Sequence, residues 1–522
     1  MRRETVRAAG TARSALAAFL GLLAVAWAGA AGAAARYAVN SGNWTSTTVW
    51  AQASCAGASG QSVPGNSDDV TVCSGKTVTV NTTTNTVGSL VIQASAVLQG
   101  NGAGAILNIG RDGGIDVTNN GTINFSGATA ATISLTRASQ WSGSGVWNLY
   151  DINISNRTLS FTAGSIITLN LSAAIPIVNA PGSGAITDPP APAQVTWNFN
   201  GSVAQTLPNR TQVQYGVIRI NNSSATGVTL GVGLSSAAGN LDGSVLIQSG
   251  TLSDGGFAIA GPAASAFRIS PGATFRVTGA TNQVSGFGTI DYGTAGACGT
   301  VNHAGAAQTV DATPPNYGNL TLSGSGVKTM PGAPLTVACD FTMAGTATAT
   351  AASAMAVGRH FILNAGTAFT AGAFTHIVGG NFSNAGTFTA GAGTFNFNGT
   401  GAQNISGATT VFNNLQITNG AAPVSALTPF AVGGTLDIAA GASFADGANI
   451  ITLRGDLVAA GLHTGAGKLL LQGGAAAHSL SGSGSVTNLE LNDAAGAALG
   501  SDFTVAGTLS LTGGLLASGA NT

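Results

Sequence analysis

The sequence predicts an all-β fold, a right-handed parallel β-helix (β-solenoid) with a capping N-terminal segment. Three observations predict it. A phrase of fixed internal spacing recurs between spacers of variable length, shorter units repeat 20 residues apart, and apolar residues alternate with polar ones in runs of three to five.

The fullest copy of the phrase runs Thr394-Phe-Asn-Phe-Asn-Gly-Thr-Gly-Ala-Gln403, then Val411-Phe-Asn-Asn-Leu415-Gln-Ile-Thr-Asn419. An earlier copy, Thr196-Trp-Asn-Phe-Asn-Gly-Ser-Val-Ala-Gln205, continues to Tyr215-Gly-Val-Ile218-Arg-Ile-Asn-Asn222. A third carries Gln308 and Tyr317-Gly-Asn-Leu320, and a fourth has His478 in the Gln place, followed by Leu489. A worn copy starts at Gln140 and reaches Ile152. From the Gln-type position to the first apolar residue of the next run, the copies count 12, 13, 12, 12 and 11 residues in chain order, while successive copies lie 65, 103, 95 and 75 apart. A fixed phrase with elastic spacers suits a solenoid, in which a coil touches only its neighbours and coils are gained or lost without disturbing distant ones.

Between the phrases, Gly366-Thr367 and Gly386-Thr387 stand 20 residues apart, the length of one coil. At that length the body of the chain holds about 20 coils. Within the units Leu436 and Ile438, Ile451 and Leu453, Leu469 and Leu471, and Leu509 and Leu511 alternate with mostly polar residues, as half-buried strands do. Asn119-Asn120-Gly121 and Gly433-Gly434 are expected to supply positive-φ corners. A helical solenoid is excluded, because no window shows a 3.6-residue period and glycine, at 77 residues, is everywhere. A β-sandwich array is the competing architecture, but hairpin turns at regular short spacing are less evident than the 20-residue units.

Residues 1–35 read as a cleaved export signal: Arg2, Arg3, Arg7 and Arg13 form a basic start, Ala15 to Trp27 an apolar core, and Ala33-Ala34-Ala35 a small-residue cleavage site. Its removal takes four Arg and Glu4 from 17 basic and 18 acidic residues, leaving 13 and 17, a net charge of −4. No basic patch remains for nucleic acid. Later in the chain no apolar stretch is long enough to span a bilayer. The four cysteines of an exported chain fit two disulfides; sequence order suggests Cys55 with Cys73 and Cys298 with Cys339, although four cysteines permit three pairings.

Residues 36–100 form the N-terminal cap and first coils. Here Gly42-Asn-Trp44, Trp50, Val63-Pro-Gly-Asn-Ser-Asp68-Asp69, Gly75-Lys-Thr-Val-Thr-Val80 and Val87-Gly-Ser-Leu-Val-Ile92 follow in order. Trp44 and Trp50 are expected to cover the open apolar end. Residues 101–522 are the repetitive solenoid, expected to continue past Thr522 towards an anchor.

The Trp-containing start, the Pro-x-x-x-Asp-Asp turn and the recurring phrase together resemble bacterial secreted and surface β-helix proteins of the adhesin or autotransporter-passenger kind. The resemblance to large exported proteins of mannose-sensitive-haemagglutinin pilus biogenesis is looser. It covers most of the mature chain, and its motifs specify architecture more than activity.

Candidate chemistry is sparse. Polysaccharide-cleaving β-helices need carboxylates clustered with a basic residue, whereas the acidic groups here are scattered. The closest are Asp68-Asp69, read as a turn; Asp112 with Asp116, weighed as calcium ligands and read as a turn; and Asp437, Asp446 and Asp456. His303, His360, His376, His463 and His478 lack the ligand spacing of a metal site. Gln205, Gln308 and Gln403 are candidates for an internal ladder of stacked amides. The resulting expectation is a monomeric, extracellular structural or adhesive module without catalytic residues, metal or cofactor. It is exported to the surface or medium and meets glycan or other cell-surface molecules through repeated weak contacts. The alternatives are a carbohydrate-active β-helix enzyme and a pilus-biogenesis accessory protein.

Overall fold

The computed structural model of the chain describes residues 33–102, 104–111, 113–178, 184–189, 194–311, 317–407 and 409–522. Residues 1–32 of the expected export signal (1–35), and Asp112 of the candidate calcium pair, lie outside the described residues. The fold is nearly all β, 46% strand and 1% helix, and is a β-solenoid of parallel stacked coils, about 21 turns in all. The chain divides into two compact units, Met1–Ile167 with Val178–Ala185, and Thr168–Ile177 with Ile186–Thr522. No helix among the described residues is long and apolar enough to cross a membrane.

In the first unit each full coil lays one short strand on each of three sheets. Asp69–Val72, Ser89–Ile92, Val117–Asn119, Ser139–Ser142 and Leu159–Phe161 stack in parallel on one of them. The pairing aligns Val70, Leu90, Val117, Trp141 and Phe161 in a single column pointing inward, each at most 5% exposed. Period-two alternation produces this column, because every second side chain of a strand faces the same side. The N-terminal end departs from the pattern. Ala35–Ala38 pairs in parallel with Asp69–Val72 and antiparallel with Trp50–Ala51. Trp50 and Trp44 are buried, with ring centroids 5.1 Å apart, and Trp50 Nε1 donates to the Trp44 carbonyl. Both indoles therefore lie inside the first described coil, at the edge strand of that sheet.

The second unit keeps the same construction. Phe341–Met343, Phe361–Leu363, Phe382–Asn384 and Gln403–Ser406 are successive rungs of a 15-stranded sheet. Phe341 pairs with Phe361, which pairs with Phe382; their centroids are 4.8 and 5.6 Å apart and all three are fully buried. Burying one such ring contributes about 1.5–3 kcal/mol, and each ring contact about 0.5–1.5 kcal/mol more. Leu436, Ile438, Ile451, Leu453, Leu469 and Leu471 are all fully buried. Leu509 and Leu511 depart from that expectation at 43% and 56% exposed, because Leu509–Gly513 is the last strand of its sheet and no described coil stacks on its far side.

The corner glycines work differently from the sequence reading. Gly121, Gly433 and Gly434 do not adopt positive φ. Gly121 is required by proximity, since a β-carbon there would stand 2.4 Å from both the Gln93 and Ala96 carbonyl oxygens of the preceding coil. Positive φ occurs instead at turns such as Gly366 (86°) and Gly441 (80°).

Candidate functional site

The cysteines join as sequence order suggests, Cys55 with Cys73 and Cys298 with Cys339, with Cα atoms 5.7 and 6.5 Å apart.

The glutamines do not form a ladder. Gln205, Gln308 and Gln403 are buried, but each clamps the coil before it. Gln403 Nε2 donates to the carbonyls of Val378 (2.9 Å) and Gly380 (2.7 Å), while its Oε1 accepts from the Gly399 N–H and from Asn419 Nδ2, both at 3.0 Å. Gln205 repeats this on Leu171 and Ala173, with Gly201 and Asn222 as donors. Gln308 repeats it on Val277 and Gly279, with Gly305 as donor and Lys328 Nζ in the asparagine's place, at 2.7 Å. In the fourth copy His478 Nδ1 meets the Gly455 carbonyl at 2.6 Å, and Nε2 meets Asp493 Oδ2 at 3.0 Å. The Ala495 and Gly474 amides, then His478, hold the Asp493 carboxyl down at about 2. Copies 65 to 103 residues apart cannot stack amide on amide, so each satisfies the backbone of its own corner instead. Amides do stack on the outside of the second unit: Asn198 donates to Asn170 (2.7 Å), and Asn221 donates to Asn198 (2.9 Å) and Gln248 (3.0 Å).

The scattered acids stay apart. Asp68 accepts from the Gly65 and Ala34 amides and pairs with Arg36 at 3.2 Å, a turn role, while Asp69 pairs with Arg111 at 2.9 Å. Asp116 accepts from the Gln140 amide, and burial pushes its carboxyl up. Asp437 accepts from Gln416 and Asp456 from the Ser479 amide. Asp446, fully buried, lies 3.1 Å from the equally buried His463, whose imidazole burial pushes down to about 4. His303 is buried without a hydrogen-bond partner and is pushed down to about 4 by burial and then by the charge of Lys328. His360 accepts from the Asn381 amide, and His376 accepts from the Met355 amide and meets the Ala371 carbonyl. Among the described residues no group of three or more His, Cys, Asp or Glu could hold a metal ion.

One outer face carries a feature absent from the sequence reading. Thr281, Thr309, Thr329, Thr350, Thr370 and Thr389 pair in direct succession across six neighbouring coils. Their inward neighbours Gln308, Lys328, Ala349 and Phe369 are buried, so these threonines point outward, and Thr309, Thr329, Thr350 and Thr389 are exposed. Thr348 and Thr387 flank the column two residues back along their strands, and Thr346 lies four back from Thr350. Neighbouring strands lie about 4.8 Å apart, so the column repeats a hydroxyl and a methyl at nearly regular intervals, while the outward positions two residues back are Val327, Thr348, Ala368 and Thr387. The signal in the sequence is the interval between these threonines, 28, 20, 21, 20 and 19 residues.

Comparison with protein families, with curated proteins and with solved structures finds no match for this chain.

Proposed function

We propose that this chain is an exported, non-catalytic structural and adhesive module that attaches to a glycan or another cell-surface molecule through its outer sheet faces. The observation that carries the reading is the registered column from Thr281 to Thr389, six coils deep. A threonine column offers each hydroxyl as donor and acceptor beside a methyl, which suits the mixed polar and apolar surface of a sugar chain. Each contact is weak, and repetition on a stiff backbone multiplies them without a deep pocket. The two disulfides suit an oxidising compartment, which agrees with the export signal in the sequence.

The test is co-sedimentation of the purified chain with insoluble polysaccharides, with reducing ends assayed in the same tubes. Retention on at least one polysaccharide without release of reducing ends is the expected result. Release of reducing ends that grows with time and protein would overturn the reading in favour of a carbohydrate-active enzyme.

A further inference from the structure

We propose that one outer sheet face of the second unit binds an acidic polysaccharide, whose carboxylates are received by Arg219 and Arg268. The inference rests on the proposed function only in taking the partner to be a glycan, and it places the contact on a different sheet from the threonine column. Thr168–Leu171, Thr196–Phe199, Val217–Asn221, Val245–Ser249 and Ala266–Ile269 are successive parallel strands of this sheet. Their register aligns Asn170, Asn198, Arg219, Leu246 and Arg268. Each of the five has a buried residue on either side of it, so all of them point outward.

Arg219 and Arg268 are the charged residues of these five strands, and no acidic residue lies on any of them. Exposed arginines elsewhere are neutralised, Arg111 by Asp69 and Arg359 by Asp340. Among the described residues Arg219 and Arg268 have no such ion pair. Arg219 is half-buried, with its Nε lacking a hydrogen-bond partner, and Arg268 is exposed. Asp291 occupies the next rung after Arg268, but its Oδ1 accepts from the Gly293 amide at 2.9 Å. At the corner that precedes these strands, Asp188 accepts from the Val195 amide and Asp242 from Gln214.

The two arginines stand two strand spacings apart, about 9.6 Å. A guanidinium presents a planar fork that holds a carboxylate by two hydrogen bonds, and it is more weakly hydrated than an ammonium. An extended sugar chain laid along the stack, with the carboxylates of alternate rings facing the sheet, meets both forks. Leu246, half-buried between them, offers an apolar contact for the face of a ring. Amides continue the surface on the far side of Arg219, where Asn198 donates to Asn170 and Asn221 donates to Asn198. Two arginines on a chain with more acidic than basic residues are too few for a nucleic-acid backbone, which needs many phosphate contacts.

The full chain is titrated by calorimetry with polygalacturonate, with neutral amylose, and with double-stranded DNA at the same charge concentration as the polygalacturonate. The expected result is saturable binding of polygalacturonate, tighter than that of DNA, which weakens as NaCl rises from about 0.15 M to about 1 M. Arg219→Gln and Arg268→Gln together weaken it at least about fivefold. Arg454→Gln, the same charge change at another exposed position, leaves it unchanged. Arg268→Glu alone reverses a charge at an exposed outward position and carries the test if the double variant does not fold. Undiminished affinity in the arginine variants, or DNA bound as tightly as polygalacturonate, overturns the proposal. Binding of amylose without polygalacturonate overturns it and leaves the glycan reading standing, whereas binding of neither polymer counts against both.

Discussion

Replacing Gln403 by Leu isolates the clamp that recurs through the second unit. The substitution keeps a buried side chain of similar size but withdraws two donated and two accepted hydrogen bonds at once. The carbonyls of Val378 and Gly380 and the Gly399 amide lose this partner, while Asn419 keeps its bond to the Gly401 carbonyl at 2.7 Å. At about 1 kcal/mol for each bond lost from a buried group, the variant is destabilised by about 3–4 kcal/mol. Solenoids open locally, so the loss is read best by hydrogen exchange, with protection falling first at Val378, Gly399 and their neighbouring amides rather than along the whole chain. The double variant Gln403→His with Asn419→Asp copies the His478–Asp493 pair and recovers part of the loss. A cost below about 1 kcal/mol, or protection lost evenly over distant coils, would refute the clamp.

Other perturbations follow from the same geometry. His303 is fully buried and its pKa lies near 4 against an ordinary 6.5, so the unfolded chain takes the proton first; its contribution is whole above pH 6.5 and is lost as pH falls towards 4. That interval corresponds to about 3 kcal/mol at most, and between pH 7.5 and 4.5 the urea midpoint of the wild type is expected to fall further than that of His303→Leu; parallel pH dependence counts against it. Replacing both Cys298 and Cys339 by Ser frees a 41-residue loop, an entropic loss of about 4 kcal/mol. The matching change at Cys55 and Cys73, 18 residues apart, costs about 3 kcal/mol, and equilibrium unfolding without reductant measures both.

How much of this was legible in the sequence depends on how far each feature reaches along the chain. The inward column at Leu436, Ile438, Ile451 and Leu453 was visible because strand alternation is local. The glutamines of the phrase stood out because four hydrogen bonds require that side chain in each copy, but their role was misread. Their partners, such as Val378 for Gln403 and Leu171 for Gln205, lie 25 and 34 residues upstream, and nothing local marks them. Gly121 and Gly434 read as turn residues, whereas the approach of the neighbouring coil is what excludes a side chain there. The threonine column stayed hidden because its intervals vary between 19 and 28 residues, so only the strand register aligns it. Arg219 and Arg268 belong to different coils, and their alignment exists only once coils stack.

The most direct test of attachment through the outer face is retention on the bound polysaccharide after replacing Thr309, Thr329, Thr350 and Thr389 together by Val. Valine keeps the strand preference and the shape while removing four exposed hydroxyls, so the fold is retained. The account predicts that retention falls at least about tenfold through lost multivalency, while four equivalent changes on another sheet leave it intact. Unchanged retention with folding intact would contradict it.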